Sequence, residues 1–355
     1  MTDGMAMPLL SVENLRKTFR VKKGFPKSVT TTVRAVDGVS FDVRPGEAFG
    51  LVGESGCGKS TVGRSLLRLV EPDSGTVRFS GLDIGAATDR ELRRLRRRIQ
   101  IVFQDPYSSL NPRLTVGNTI AEPMLVHGLA DRGSVTDKVV DLLREVGLPP
   151  EARLRYPHEF SGGQRQRIGI ARALSVEPEL IVADEPVSAL DVSIQAQILI
   201  LLQELKDRRG LSFVFISHDL AVVRYFCQRL AVMYLGRIVE EGPIPEIFET
   251  PLHPYTQLLK STSPVPDPGA KVTFARMEGE IASAANPPKG CHFHPRCPAA
   301  MDVCRTTAPP LIQHGPGRKV ACHLYPTEAA SPEPASSASL SPPAPVPSAT
   351  RSDHP

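Results

Sequence analysis

Eight residues, Gly53-Glu54-Ser55-Gly56-Cys57-Gly58-Lys59-Ser60, constrain this 355-residue chain more than any other stretch. They fit G-x-x-x-x-G-K-[ST], in which glycines let a loop wrap closely enough for backbone N–H groups to face an anion. In that pattern the lysine supplies a point charge to the outer phosphates, and the serine hydroxyl reaches Mg²⁺. The apolar run Ala48–Val52 precedes the loop. A helical pattern follows through Val62, Leu66, Leu67 and Val70, ending near Pro72-Asp73. The helix directs its positive end at the same anion. Strand, loop and helix in this order predict an α/β protein, with Gly53, Glu54, Ser55, Gly56, Cys57, Gly58, Lys59, Ser60 and Thr61 as its phosphate-binding segment.

A second apolar run, Leu180–Ala183, ends in Asp184 and Glu185. At the C-terminal edge of a parallel sheet, Asp184 is placed to hold Mg²⁺ through water and Glu185 to polarise an attacking water. Short strands are also expected at Leu9–Asn14, Val39–Val43, Thr76–Phe79, Ile99–Phe103, Phe213–Ile216 and Leu230–Tyr234. Their alternation with helical patterns predicts a largely parallel sheet covered on both faces. Residues 115–176 read as an inserted helical subdomain broken at Pro123, Gly147–Pro150 and Tyr156-Pro157. After Gly242, prolines 243, 245, 251, 254, 264, 266 and 268 punctuate short helical pieces at Ile244–Phe248 and Tyr255–Lys260. Residues 327–355 hold mostly Pro, Ala and Ser, too little apolar area to fold, and are expected to be a disordered tail.

Composition narrows the class. The formal net charge of +4 is too small to argue for nucleic acid without a patch. The most apolar stretch, Ile194–Leu205, is interrupted by Gln195, Gln197, Gln203 and Glu204, short of the ~18–20 apolar residues of a membrane span. Met1–Leu10 carries no signal-like pattern. The basic run Arg90, Arg93, Arg94, Arg96, Arg97 and Arg98 lacks interleaved aromatics and reads as a solvated helix face.

Phe160-Ser161-Gly162-Gly163-Gln164-Arg165-Gln166-Arg167 resembles the signature motif of ABC transporter ATP-binding subunits. In the order of that family, Gln104 resembles the Q-loop residue, Ser188-Ala189-Leu190-Asp191 the D-loop, His218 the switch histidine, and Phe19 the aromatic that stacks on adenine. The resemblance covers residues 9–325. It implies a P-loop NTPase ABC nucleotide-binding domain over 1–260, with its helical subdomain at about 113–176. A small loop-rich region with clustered cysteines follows over 261–326. It implies ATP and Mg²⁺ as ligands, with Ser60, Gln104 and Asp184 at the metal, and Glu185, His218 and Gln104 as catalytic residues. It further implies that Ser161, Gly162, Gly163, Gln164 and Asp191 reach the ATP of a second subunit.

Gln104–Pro112, His253-Pro254-Tyr255-Thr256 and the cysteine-containing C-terminal region together resemble oligopeptide and dipeptide importers. The Lys17–Val21 opening and the extended Lys22–Val33 insertion favour the second of their two paired ATPases. Implied partners are a second ATPase subunit, two transmembrane permeases and an extracytoplasmic solute-binding protein, with this chain peripheral on the cytoplasmic face of the inner membrane. Nickel and glutathione importers share these features. A soluble ABC ATPase outside transport is the alternative class.

Four of the six cysteines, Cys291, Cys297, Cys304 and Cys322, are separated by five, six and seventeen residues, without a C-x-x-C pair. Four thiols in one loop-rich segment suit [4Fe–4S] or zinc, and the resemblance favours [4Fe–4S]. His292, His294 and His323 flank them and keep zinc open. Cys57 and Cys227 read as structural.

Overall fold

The computed structural model describes residues 7–23, 29–105, 107, 109–262 and 282–325. The expected tail at 327–355, prolines 264, 266 and 268, and two residues of the Gln104–Pro112 segment (Pro106, Ser108) lie outside them.

Two sheets build the molecule. The first is antiparallel: β1 (Leu10–Lys23), β2 (Val29–Val43), β4 (Ser74–Phe79) and β5 (Leu82–Asp83), in the order β2-β1-β4-β5. The second orders as β11 (Ile312–Gln313), β12 (Lys319–Val320), β10 (Arg237–Pro243), β9 (Arg229–Tyr234), β3 (Ala48–Val52), β8 (Ser212–Ser217), β7 (Leu180–Asp184) and β6 (Ile99–Val102). Its parallel part comprises β9, β3, β8, β7 and β6. Every residue of β3, β7 and β8 is buried, which is why they read as unbroken apolar runs rather than alternating ones.

Side chains still alternate between the two faces. Phe49, Leu51, Val182, Val214 and Ile216 join the core under the antiparallel sheet, α1 (Lys59–Leu66) and α2 (Asp89–Arg98). Ala48, Val52, Ile181, Ala183, Phe213 and Phe215 join the opposite core, with α3 (Val116–Val126), α4 (Val135–Glu145), α5 (Gly162–Leu174), α6 (Val192–Arg209) and α7 (Leu220–Phe226). Gly63 lets α1 lie tight on the sheet: a Cβ there would meet Ile216 at 2.7 Å and Val182 at 3.1 Å.

Three features depart from expectation. The insertion at Lys22–Val33 lengthens a hairpin, for β1 runs to Lys23 paired with Val29 of β2. Strand β10 (Arg237–Pro243) was not anticipated, because Glu240 and Glu241 are acidic yet buried. The basic run on α2 is only partly solvated. Arg93 bonds the Val126 carbonyl, Arg96 those of Leu67 and Arg68, and Arg98 pairs with Glu179 and Ser80, tying α2 to its surroundings.

After α8 (Ile244–Glu249) and α9 (Pro254–Thr262), residues 282–325 return with α10 (Asp302–Thr306), β11 (Ile312–Gln313) and β12 (Lys319–Val320). Strand β12 pairs with Glu240 and Glu241 of β10, so the cysteine-bearing segment extends the main sheet. It lies in one compact unit with the residues before it, running to Tyr325.

Beside the phosphate loop, β2 is pinned to the β9–β10 turn. The Asp37 N–H donates to the Gly236 carbonyl, and the Gly236 N–H donates to that of Cys57. Asp37 Oδ2 accepts from both Nε and Nη2 of Arg237 (2.8 and 2.6 Å), and Oδ1 accepts from Arg16. Burial pushes this carboxyl up, but the two guanidinium groups outweigh it and hold its pKa below the usual 3.8. Folding thus favours the ionised form, and that stability is present above the unfolded pKa and lost as pH falls through the lowered folded one. Asp37→Asn is expected to lower the urea midpoint at pH 7, with the difference from wild type shrinking below about pH 4. A pH-independent difference would contradict the pairing.

Candidate nucleotide-binding site

Parallel strands bring their C-terminal ends to one edge, and four such ends supply the site. The phosphate loop follows β3, Gln104 follows β6, Asp184 and Glu185 end β7, and His218 follows β8. At the start of α1, Gly58 has φ +108°, and a Cβ there would lie 1.9 Å from the Ala35 carbonyl oxygen. Only glycine fits. Lys59 is 3% exposed. Its Nζ donates to the carbonyls of Gly53 (2.8 Å) and Glu54 (3.1 Å), and lies 3.9 Å from Glu185 Oε1.

The carboxylates are interlocked. Ser60 Oγ donates to Asp184 Oδ1 at 2.7 Å. Asp184 is 1% exposed, and burial raises its pKa, partly offset by the Ser60 bond. Glu185 Oε2 accepts from Gln104 Nε2 at 2.9 Å and lies 3.2 Å from His218 Nδ1. The Glu185 backbone sits at φ +47°, the left-handed region that non-glycine residues adopt at a cost of order 1–3 kcal/mol. Its N–H donates to the Ile216 carbonyl at 3.0 Å, which holds the turn. Lys59, Ser60, Gln104, Asp184, Glu185 and His218 therefore form one connected cluster.

The other candidate residues stand apart from it. Ser161 caps α5 in a capping box with Gln164, and both are exposed. Gly162 and Gly163 open that helix, with Gly163 close against Ile194 of α6. Asp191 caps α6 and is exposed. Among the described residues no hydrogen bond links Ser161, Gln164 or Asp191 to the phosphate loop. Phe19 is half-exposed on β1, with Lys17 Nζ 5.6 Å from its ring centre.

Comparison with known proteins agrees with this geometry. Residues 36–188 match the family described as ABC transporter, and residues 239–304 match the oligopeptide/dipeptide transporter C-terminal region. A Sinorhizobium fredii protein, named a probable peptide ABC transporter ATP-binding protein, is 54% identical over 95% of this chain and 96% of its own. The oligopeptide transport ATP-binding protein AppF of Bacillus subtilis is 50% identical over 92% of this chain and all of its own. The chain belongs to the ATP-binding proteins of the oligopeptide/dipeptide ABC transporter family. As an ABC ATPase it hydrolyses ATP, and ATP with Mg²⁺ are the ligands its family requires. Among solved structures, the dimeric post-hydrolysis cassette MJ0796 bound to ADP and Pi aligns with a TM-score of 0.58 at 29% identity, over 66% of this chain and 98% of that one. The cbiO1 structure from Clostridium perfringens, part of the cbiONQ ABC transporter complex, aligns with the same TM-score at 26% identity, over 69% and 92%.

The ABC cassette carries two contacts that sequence reasoning missed. The Glu54 N–H of the phosphate loop donates to Tyr255 Oη at 2.9 Å. The Glu54 carboxylate is gripped by both terminal nitrogens of Arg296, each at 3.0 Å. Tyr255 lay within a motif used only to place the subfamily. Arg296 lies 242 residues from its partner, beyond any local pattern.

The geometry lends the cysteine cluster no support as a metal site. Among the described residues no group of three or more His, Cys, Asp or Glu side chains is arranged to hold a metal ion. Burial pushes the Cys291 and Cys297 thiols up, and that of Cys322 up to about 11, with neighbouring thiols of the cluster adding to it. His292, His294 and His323 each set a ring nitrogen against a backbone carbonyl, of Leu235, Cys291 and Thr307. The thiols lie near enough to influence one another. Cys57 and Cys227 are buried, and burial pushes both thiols up, consistent with packing roles.

Gly58→Ala is expected to abolish nucleotide binding in an equilibrium titration with a fluorescent ATP analogue, because the loop must shift to clear the Ala35 carbonyl. Retention of wild-type affinity would contradict this loop geometry.

Proposed function

We propose that this chain hydrolyses ATP at the interface with a second ATPase chain, and thereby drives import of peptides through a membrane permease. One observation carries the reading: a single chain assembles only one side of a site. Its lysine, carboxylates and histidine cluster together, while the capped Ser161–Gln164 helix end stands exposed. A helix N-terminus of that kind suits the outer phosphate of a nucleotide held by another copy or a relative. The dimeric state named for the MJ0796 cassette supports this pairing.

In this reading, the loop amides of residues 53–61 and Lys59 hold the phosphates, and Phe19 stacks on adenine. Ser60, Asp184 and Gln104 suit Mg²⁺, a hard cation that pairs one carboxylate with hydroxyl, water and phosphate oxygens rather than an all-protein cage. When bound, Mg²⁺ neutralises charge on the phosphates. Glu185 takes a proton from the attacking water, whose oxygen bonds the γ-phosphorus as the bond to the ADP oxygen breaks. Gln104 and His218 orient Glu185 through their contacts with its Oε2. Ser161, Gly162, Gly163, Gln164 and Asp191 serve the partner's nucleotide.

The peptide assignment rests on the names of relatives at 50–54% identity. No helix among the described residues is long and apolar enough to cross a membrane. The proposed partners are a second, different ATPase, two permeases and an external binding protein, at the cytoplasmic membrane face. A [4Fe–4S] cluster at Cys291, Cys297, Cys304 and Cys322 is proposed only from the clustering of four thiols in one loop-rich segment. Zinc on the same four thiols is the alternative. Iron and acid-labile sulfide in anaerobically purified protein would support it, and zinc or no metal would reject it.

Glu185→Gln is expected to retain MgATP binding while turnover falls by about 10²–10⁴-fold, the usual contribution of a general base. Steady-state phosphate release measured beside a binding titration checks this. Turnover within a few-fold of wild type would remove Glu185 from the role.

A further inference from the structure

The grip of Arg296 on the phosphate loop has no counterpart in the nucleotide chemistry described above. Arg296 lies on the turn between Cys291 and Cys297, and its side chain is 2% exposed. Its guanidinium makes a bidentate bond to Glu54, whose side chain is 19% exposed, and reaches Tyr234 Oη at 3.5 Å. Tyr234, Tyr255 and Phe293 pack around this turn with ring centres 4.6–5.4 Å apart. The side chain of Glu54 is thus fixed by the cysteine-bearing segment, and its backbone N–H by Tyr255.

The charges explain why this matters. Glu54 places a carboxylate inside a loop whose work is to attract phosphates. The loop's own cation, Lys59, already donates to the Glu54 carbonyl at 3.1 Å. An uncompensated Glu54 carboxylate would repel a nucleotide held at this loop. Removing one member of a buried ion pair leaves the other's charge exposed to the low-dielectric interior, where its field is little screened.

We propose that Arg296 is a positioning residue for ATP: by neutralising Glu54 it removes a negative charge from the phosphate loop and sets nucleotide affinity from the C-terminal segment. The inference rests on the ATP reading. Failure of the wild-type chain to bind MgATP would sink that reading, whereas unchanged affinity in the variants sinks only this one.

The test uses the full-length chain, with MgATP affinity measured by calorimetry and KM and kcat by phosphate release. Arg296→Met is expected to weaken MgATP binding and raise KM about tenfold or more, with kcat within about twofold. Arg296→Lys keeps the charge but loses the bidentate geometry and should fall between the two. The double variant Glu54→Gln/Arg296→Met removes both charges and should return to within about threefold of wild-type affinity. Glu54→Gln alone should tighten MgATP binding, and it decides the matter if Arg296→Met does not fold. Unchanged affinity in Arg296→Met overturns the proposal. So does a double variant as weak as the single, or a tenfold loss in Glu54→Gln, because either would make the contact a structural tether.

Discussion

A lysine ammonium sealed at the start of a helix is the constraint around which the molecule is arranged. Lys59 has two carbonyls of its own loop as donors' targets and a carboxylate 3.9 Å away. A buried cation is costly unless something compensates it. The surroundings supply oxygens from Gly53, Glu54 and Glu185, while the loop backbone and the α1 N-terminus add further positive potential. The site as a whole suits an anion. Four strands ending at one edge make this possible, because a parallel sheet brings residues such as Ser60 and Asp184, 124 positions apart, within bonding reach of one another. Glycine at 58 and 63 removes the side chains that would hold helix and loop away from that edge.

The parallel core was legible in the sequence because strands buried on both faces leave unbroken apolar runs. Ala48–Val52 was expected and observed at the same bounds, and Leu180–Ala183 gained one residue. Strand β10 was hidden for a physical reason. Buried Glu240 reads as solvent-facing until Arg318, 78 residues away, pairs with it at 2.7 Å, and Glu241 likewise relies on Arg229 at 2.7 Å. Long-range charge compensation leaves no local pattern. The same holds for Arg296 and Glu54, and for the arginines of α2 that bond neighbouring carbonyls instead of water.

The candidate site was legible to the same degree. Residues contributed by strand ends meet: Lys59, Ser60, Gln104, Asp184, Glu185 and His218. The Ser161–Gln164 helix end and Asp191 do not join them, which is what a site shared between two chains requires. The cysteines illustrate the opposite limit. Their sequence clustering became spatial proximity, but proximity is a weaker condition than coordination, which demands convergent donors at fixed distances. The clearest product of that region in the structure is the aromatic and ionic seam that joins it to the phosphate loop.

In the proposed function, phosphate oxygens replace the Gly53 and Glu54 carbonyls as partners of Lys59. Calorimetric titration of MgATP into wild type and Lys59→Met, which keeps the apolar stem and removes the charge, tests it most directly. The account predicts an affinity loss of about 100-fold or more in the variant, the scale of a charge-assisted contact to phosphate. Equal affinity in the two proteins would contradict it.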